Sequence, residues 1–262
     1  MMNIIDNNFY NLVNELKALD KNEIYDNINK YLDKIPIQIR FELEDYFESI
    51  KDEYDEILNR ADILKNHIED FVFLYNNLYD YRSKKILLGI LKNWYKFDFE
   101  ILLSSNEKNY PQYFELDIIK SGCADIIIDL NAEDGNFLAS FLKVYGNNYY
   151  KIYGYEKSEE KIEKLKEKFD KCRDIIISNV KEDIIKEKVS LIKIDKFIKE
   201  NLSYFKRNII NDKPKLIIKL NTNNDIWYIP RLIKSIDNNY KFCLRMYNSS
   251  IHPLNIILTA FY

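Results

Sequence analysis

Two short segments of the chain carry side chains that suit the recognition of a nucleoside. The first, Asp129–Gly135, reads Asp-Leu-Asn-Ala-Glu-Asp-Gly after an apolar run, and the second ends at Glu156. An acidic residue that follows a strand-to-helix turn by about 20 residues can accept hydrogen bonds from the ribose hydroxyls of a nucleoside. The same residues also fit an ordinary strand-to-helix turn with a surface glutamate, so both interpretations stay open at this point.

The backbone of the first segment would have to approach a ligand closely. Such turns need residues that tolerate positive φ, and glycine is the usual choice. Here Asn131 stands at the first such position, and the next glycine is Gly135. Because asparagine enters the left-handed region at a smaller cost than most residues, we expect Asn131, Ala132 and Gly135 to keep the shape of a ligand-binding turn.

The elements that would position these residues begin after about residue 120. Short β-branched runs there alternate with helical patterns, which predicts a mainly parallel sheet covered on both faces. The predicted strands are Asp125–Asp129, Tyr149–Tyr155, Asp174–Ser178, Val189–Ile194, Lys215–Leu220, Tyr240–Tyr247 and Asn255–Ala260. The predicted helices are Gly135–Tyr145, Ser158–Phe169, Lys196–Ile210 and Ile226–Ile236.

The last two predicted strands follow each other without a helix, so we expect an antiparallel hairpin at one edge of a seven-stranded sheet. The predicted fold class is therefore α/β and Rossmann-like, over residues 121–262. In such a sheet, ligands bind beyond the carboxyl ends of the strands. Asp129, Glu156 and Asp195 all lie at such ends.

Residues 1–120 are predicted to form an α-helical N-terminal region. Apolar positions recur there at alternating steps of four and three residues, which is the spacing of a coiled-coil seam. Two interpretations of residues 37–80 remain open: one or two amphipathic helices that pack on the body of the same chain, or a helix that forms a homodimer. A second helix is expected after Tyr81, with Ser83 as its cap. The seam runs Leu43, Phe47, Ile50, Tyr54, Ile57, Ala61, Leu64, Ile68, Phe71, Tyr75 and Leu78.

Several segments together resemble the FkbM-type methyltransferase family. Asp129–Gly135 is similar to its Asp-Val-Gly-Ala-x-x-Gly cofactor loop, and Tyr153–Glu156 is similar to its second-strand end. Leu191–Glu200 falls on its Phe-Ile-Lys-Met-Asp-Ile-Glu-Gly-Ala-Glu signature. The order and spacing of the segments cover roughly Leu74–Tyr262. The resemblance implies a class I methyltransferase fold that binds S-adenosylmethionine and O-methylates a sugar or another small hydroxylated acceptor.

The resemblance implies roles for the polar residues near the strand ends. Asp129, Asn131, Ala132, Gly135, Glu156 and Asp195 would bind the cofactor. Asp195 would accept from the cofactor ammonium group or act as the base for the acceptor hydroxyl. Lys193 projects on the same face of its strand as Asp195, so it is either a catalytic partner or a cation that neutralises Asp195. Asn221 and Glu200 would contact the acceptor, although Glu200 also suits a solvated helix position.

The chain departs from the family pattern at the loop residue Asn131, at Phe197 and Ile198 inside the signature, and at Asn221. These departures leave a second interpretation open, in which a catalytically inactive methyltransferase-like domain acts as a binding or assembly module. Arg245, in the last hairpin, is expected to pair with Asp225 or Asp237.

Composition excludes several other classes of function. The 262 residues include 31% charged residues with a net charge of −3, which gives no electrostatic argument for nucleic acid. Two histidines and three cysteines without a CxxC pair argue against a metal site and for a reducing, cytoplasmic setting. We expect no membrane span, because no stretch approaches about 18 uninterrupted apolar residues. Glycine is scarce, with five residues in the chain.

Overall fold

A computed structural model gives the architecture of the chain, which divides into two compact units. The structure describes residues 4–35, 53–114, 117–172, 174–179, 186–196, 198–247 and 255–262. The first unit comprises Met1–Glu107, Asn223–Tyr228 and Cys243–Ile256. The second unit comprises Lys108–Thr222, Ile229–Phe242 and Ile257–Tyr262.

The N-terminal part of the first unit is helical. Helix α2 begins with a capping box, because Asp20 accepts from the backbone N–H of Glu23 and Glu23 accepts from that of Asp20. The helices are α1 (Ile4–Ala18), α2 (Lys21–Leu32), α3 (Glu53–Asn66), α4 (Ile68–Asn77), α5 (Tyr81–Lys96) and α6 (Glu100–Ser105).

Within the described residues, the segment predicted to form one or two helices forms two, because the helix is interrupted between α3 and α4. His67, at φ −116° and ψ 17°, separates the two helices. The seam positions of these two helices are buried by the chain itself, which supports packing on the body rather than a homodimer through this face. The buried positions are Ile57, Ala61, Leu64, Ile68, Phe71, Tyr75 and Leu78. Leu43, Phe47, Ile50 and the side chain of Tyr54 lie outside the described residues.

A buried charge cluster in the first unit begins at the N-terminus of α5. The predicted cap, Ser83, is wrong: Asp80 accepts from the backbone N–H of Ser83 at 2.7 Å. The guanidinium of Arg245 donates to Asp80 Oδ2 at 2.8 Å, a partner that differs from the expected Asp225 or Asp237. Ser83 instead lies buried and accepts from the backbone N–H of Leu244.

Seven strands form one mixed sheet in the order β3-β2-β1-β4-β5-β7-β6, which confirms the predicted Rossmann-like α/β fold. The four neighbouring pairs from β3 to β5 are parallel. The N–H of Tyr247 donates to the carbonyl of Asn255, so the end of β6 lies beside the start of β7 and the two run antiparallel. The strands are β1 (Ile126–Leu130), β2 (Lys151–Tyr155), β3 (Ile175–Ser178), β4 (Leu191–Ile194), β5 (Lys215–Leu220), β6 (Lys241–Met246) and β7 (Ile256–Phe261).

The register of the parallel strands brings the candidate residues to one edge. Leu130, the last residue of β1, is paired with both Tyr155 and Ile194, the last residues of β2 and β4. Asn131, Glu156 and Asp195 therefore follow directly from three adjacent strand ends. The helices between the strands and before the hairpin are α7 (Asn136–Tyr145), α8 (Glu159–Lys168), α9 (Ile198–Tyr204), α10 (Lys206–Asp212) and α11 (Asp225–Ile236).

Two structural features are absent from the described residues. None of the helices they form is both long enough and apolar enough to cross a membrane. They also contain no group of three or more His, Cys, Asp and Glu side chains arranged to hold a metal ion.

Candidate functional site

The turn between β1 and α7 has the backbone shape that the sequence predicts. Asn131 lies at φ 72° and Gly135 at φ 71°, both in the left-handed region. The N–H groups of Asn131 and Ala132 both donate to the carbonyl of Tyr155 at 2.9 Å, which ties the turn to the end of β2. A side chain at position 135 would place its Cβ 2.7 Å from atoms of Leu165 and Phe169, so glycine is required there for space as well as for φ.

Glu156 is buried beside this turn, at 5% exposure, and its carboxylate already accepts three backbone hydrogen bonds. Its Oε2 accepts from the N–H of Glu133 at 3.0 Å, and its Oε1 accepts from those of Lys157 and Ser158 at 2.8 and 3.1 Å. The glutamate therefore closes the turn in this structure. A ribose would have to use the remaining lone pairs of the carboxylate or replace some of these bonds. The sequence gives no sign of this structural role.

A buried lysine lies between two carboxylates at the ends of β1 and β4. Lys193 Nζ is 2.9 Å from Asp129 Oδ1 and 2.6 Å from Asp195 Oδ2. The pairing follows from the sheet register, which sets Asp129 beside Lys193 on neighbouring strands. Burial alone would lower the pKa of Lys193, but the two carboxylates more than offset this and hold it above its usual value. Lys193 is therefore a cation that neutralises its neighbours.

The two carboxylates of this cluster are not fully compensated. Burial raises the pKa of Asp129 to about 6, against the opposing effect of Lys193. Asp129 Oδ2 and Asp195 Oδ1 are buried and find no hydrogen-bond donor among the residues that the structure describes. When both carboxylates are ionised, the cluster has two negative charges and one positive charge. A buried acceptor without a donor is costly, so this cluster suits a ligand that supplies a cationic donor.

Tyr113 belongs to the same cluster and was missed as a site residue. Its hydroxyl lies 3.4 Å from Asp195 Oδ2, and its ring centroid lies 5.7 Å from Lys193 Nζ. Tyr113 precedes β1 in a turn, at φ 77°, and 82 residues separate it from Asp195. Tyr113 lies before the predicted sheet, so the pattern of strand ends did not point to it.

The two expected acceptor-binding residues differ in their relation to the cluster. Asn221 follows β5 and its Nδ2 donates to the backbone carbonyl of Asp195 at 2.6 Å and to that of Lys219 at 3.2 Å. The structure thus brings Asn221 to the same edge. Glu200 lies exposed on the first turn of α9 and makes no ion pair or hydrogen bond with the cluster in the described part of the chain.

No protein-family model and no curated protein matches the sequence. Among solved structures, the chain is similar to a methyltransferase FkbM from Methylobacillus flagellatus KT, with a TM-score of 0.68 and 20% identity. The match covers 77% of this chain and 60% of that one, so the chain spans less than two thirds of that protein. The chain therefore shares its fold with an FkbM methyltransferase.

Two further similar structures match with lower TM-scores. An rRNA methylase from Streptococcus thermophilus matches at a TM-score of 0.44 and 11% identity, over 54% of this chain and 88% of that one. A precorrin-6y C5,15-methyltransferase from Geobacter metallireducens GS-15 matches at 0.42 and 9% identity, over 55% of this chain and 82% of that one.

Proposed function

We propose that the chain is an S-adenosylmethionine-dependent methyltransferase that binds its cofactor at the carboxyl ends of β1, β2 and β4. The observation that carries the proposal is the buried Asp195 Oδ1, which finds no donor in the described residues and lies in a cluster with excess negative charge. An amino-acid ammonium group is a compact cationic donor and fits this acceptor. The methyltransferase fold and the preserved turn at Asn131 support the same proposal.

Each residue has a task that its geometry supports. Asn131, Ala132 and Gly135 hold the turn open to a nucleoside. Asn131 and Gly135 do so through their positive φ values, and Asn131 and Ala132 through their N–H bonds to the carbonyl of Tyr155. Glu156 accepts the ribose hydroxyls by exchanging some of its backbone bonds. Lys193 holds Asp195 in place and is itself held by Asp129 on the neighbouring strand. When bound, the cofactor supplies an electrophilic methyl group for transfer to an oxygen nucleophile.

The acceptor that we propose is a small hydroxylated molecule or a glycan. A hydroxyl attacks only when it is aligned with the methyl group and a base takes its proton. Asp195 is the base only in the alternative in which it does not bind the ammonium group. Asn221 is held beside the backbone of Asp195, where its amide can contact a hydroxyl. Glu200, on the exposed turn of α9, is proposed to contact the outer part of the acceptor. The three cysteines are free thiols, which supports a reducing cytoplasm as the setting.

A second candidate function is a binding or assembly module that keeps the fold without catalysis. The occupied carboxylate of Glu156 favours it, because three backbone N–H groups already use the oxygens that a ribose needs. Asn131 in place of glycine points the same way. The two functions differ in a property that can be measured directly, which is affinity for the cofactor.

The experiment is calorimetric titration of the purified chain with S-adenosylmethionine and S-adenosylhomocysteine. If Glu156 binds ribose, Glu156→Ala weakens binding at least about tenfold, since each hydrogen bond to a charged group contributes about 1.5–3 kcal/mol. Glu160→Ala is the matched control: Glu160 is an exposed carboxylate on α8 paired with Lys164, and its loss leaves affinity unchanged.

Two further variants separate the enzyme from the module. Asn131→Gly leaves cofactor affinity unchanged or raises it, because glycine adopts the left-handed conformation without strain. If Asp195 is the base, Asp195→Asn lowers the rate of methyl transfer to sugar acceptors more than it lowers cofactor affinity. If Asp195 binds only the ammonium group, the rate and the affinity fall together. If the chain has no cofactor affinity at millimolar concentration and Asn131→Gly restores none, the enzyme proposal is wrong and the module stands.

A further inference from the structure

The two oxygens of the Asp195 carboxylate have different surroundings. Oδ2 is 2.6 Å from Lys193 Nζ and 3.4 Å from the hydroxyl of Tyr113. Oδ1 is buried and has no donor among the described residues. Two donors on one oxygen fix the plane of a carboxylate, since any rotation about Cβ–Cγ short of exchanging its two equivalent oxygens would break both contacts. The open acceptor is therefore Oδ1.

Tyr113 is held in a way that suits this contact. The N–H of Phe114 donates to the carbonyl of Pro111 at 3.0 Å, which closes the turn that carries Tyr113 in its left-handed conformation. The Tyr113 ring packs edge-on against the ring of Phe137, with their centroids 5.7 Å apart. Burial and the nearby charge of Asp195 raise the pKa of the Tyr113 hydroxyl, so it stays protonated and donates. At 3.4 Å the hydrogen bond is long, and we expect it to shorten when a cation binds Oδ1.

Two aromatic rings also cover the lysine of the cluster. The ring centroids of Tyr113 and Phe137 lie 5.7 and 5.6 Å from Lys193 Nζ. This distance permits a cation–π interaction, which is stronger where water is excluded. The cover keeps Lys193 on Asp195 Oδ2 and away from Oδ1. Tyr113 thus acts on Asp195 both directly, through its hydroxyl, and through Lys193.

We propose that Tyr113 is a positioning residue that, with Lys193, holds Oδ2 of Asp195 and presents Oδ1 to the ammonium group of the cofactor. The inference rests on the proposed function for the identity of the ligand, but the contact between Tyr113 and Asp195 is a property of the chain alone. Through this contact, the segment before β1 takes part in selecting ligands that carry an amino-acid group.

The experiment compares two ligands and two tyrosine variants by calorimetry. S-Adenosylhomocysteine carries the amino-acid group, and 5′-methylthioadenosine has the same nucleoside and sulfur without it. Tyr113→Phe weakens binding of S-adenosylhomocysteine by about fivefold or more and leaves that of methylthioadenosine within about twofold. Tyr145→Phe is the matched control, because its hydroxyl donates to the carbonyl of Ile119 in the same unit, away from the cluster. It changes neither affinity.

A general disturbance of the fold would weaken the binding of both ligands to the same extent, and this result overturns the inference. An unchanged affinity of Tyr113→Phe for S-adenosylhomocysteine also overturns it. If the unaltered chain binds neither ligand, the proposed function fails, and a double-mutant cycle on urea unfolding decides the contact itself. Coupling between Tyr113→Phe and Asp195→Asn that changes the unfolding equilibrium constant by about threefold or more supports the positioning role. If the effects of Tyr113→Phe and Asp195→Asn are additive, the positioning role is overturned. Additive effects are what we expect for the control pair, Tyr145→Phe with Asp195→Asn.

Discussion

Each of the two units contains a buried charge cluster, and the two clusters are compensated to different degrees. In the first unit, one carboxylate, Asp80, receives donors from Arg245, Cys243 and the backbone N–H of Ser83. In the second unit, one cation, Lys193, serves two carboxylates. The first cluster has more donors than its carboxylate has oxygens, whereas the second has buried acceptor oxygens without donors in the described chain.

The pKa values of the two clusters shift in opposite directions for this reason. Burial opposes ionisation of Asp80, but hydrogen bonds from Arg245 and Cys243 more than offset it and lower the pKa to about 2. Burial dominates at Asp129 and raises its pKa to about 6. A cluster whose carboxylate has a full set of donors is thus stabilised in its charged state, whereas a cluster with buried acceptor oxygens that lack donors is not. Perturbed carboxylates of the second kind are typical of functional sites.

The largest expected effect is on the compensated cluster. Arg245→Met leaves Asp80 without its cation, and breaking a buried ion pair lowers the free energy of unfolding by about 3–5 kcal/mol. Urea unfolding at neutral pH measures it. Lys164→Met is the control, because Lys164 and Glu160 form a pair on the exposed surface of α8, and the loss of such a pair leaves the free energy of unfolding nearly unchanged. A loss below about 1 kcal/mol for Arg245→Met would remove the contrast between the clusters.

The next effect is the pH dependence that Asp129 contributes. Its pKa is raised in the folded chain from 3.8 to about 6, so the folded state holds the proton more tightly. This contribution is fully present below about pH 4 and is lost as the pH rises through about 6, a change of about 3 kcal/mol. The difference in unfolding free energy between the unaltered chain and Asp129→Asn therefore changes by that amount between pH 4 and pH 7. A constant difference would contradict the assignment.

Asp80 contributes a dependence of the opposite sign. Its pKa is lowered in the folded chain from 3.8 to about 2, so its stabilising contribution is present above about pH 4. It is lost as the pH falls toward 2, a change of about 2 kcal/mol. In Asp80→Asn this acid-dependent loss disappears, and acid unfolding monitored by circular dichroism becomes shallower over that range. An acid limb identical to that of the unaltered chain would show that Arg245 does not stabilise the charged carboxylate.

The smallest effect concerns the turn beside the uncompensated cluster. Asn131→Gly relieves the left-handed conformation but also increases the entropy of the unfolded chain, so the free energy of unfolding changes by about 0.5 kcal/mol or less. Asn131→Val lowers it by about 1–2 kcal/mol, because a β-branched residue is strained at that φ. Equal stabilities of the two variants in thermal unfolding would mean that the turn does not hold φ 72° in solution.

The sequence predicts the elements of the second unit well, because each depends on local alternation of apolar and polar residues. The five parallel strands, the hairpin and the placement of Asn131, Glu156 and Asp195 at one edge follow from that pattern. Lys193 was expected to share a face with Asp195, since they are two residues apart on one strand. Its second partner, Asp129, depends on the register between β1 and β4, which no local pattern contains.

The parts that could not be predicted join residues far apart in the sequence. Asp80 and Arg245 are 165 positions apart, and Tyr113 and Asp195 are 82 apart. Such contacts depend on how elements pack, so Arg245 was assigned to acidic residues nearer in the chain. The break at His67 was missed for a different reason: the apolar spacing continues through it, and neither glycine nor proline marks it.

Close neighbours at Gly135 and Gly154 show that the positions of this chain differ in how freely their residues can change during divergence. A Cβ at position 135 would lie 2.7 Å from Leu165 and Phe169, and one at position 154 would lie 2.6 Å from Ile177. Asn131 has no such barrier beyond its backbone conformation. A search for distant relatives should therefore require glycine at position 135, where the positive φ adds to the close contacts, and accept either glycine or asparagine at 131. A pattern that insists on glycine at 131 discards chains of this kind.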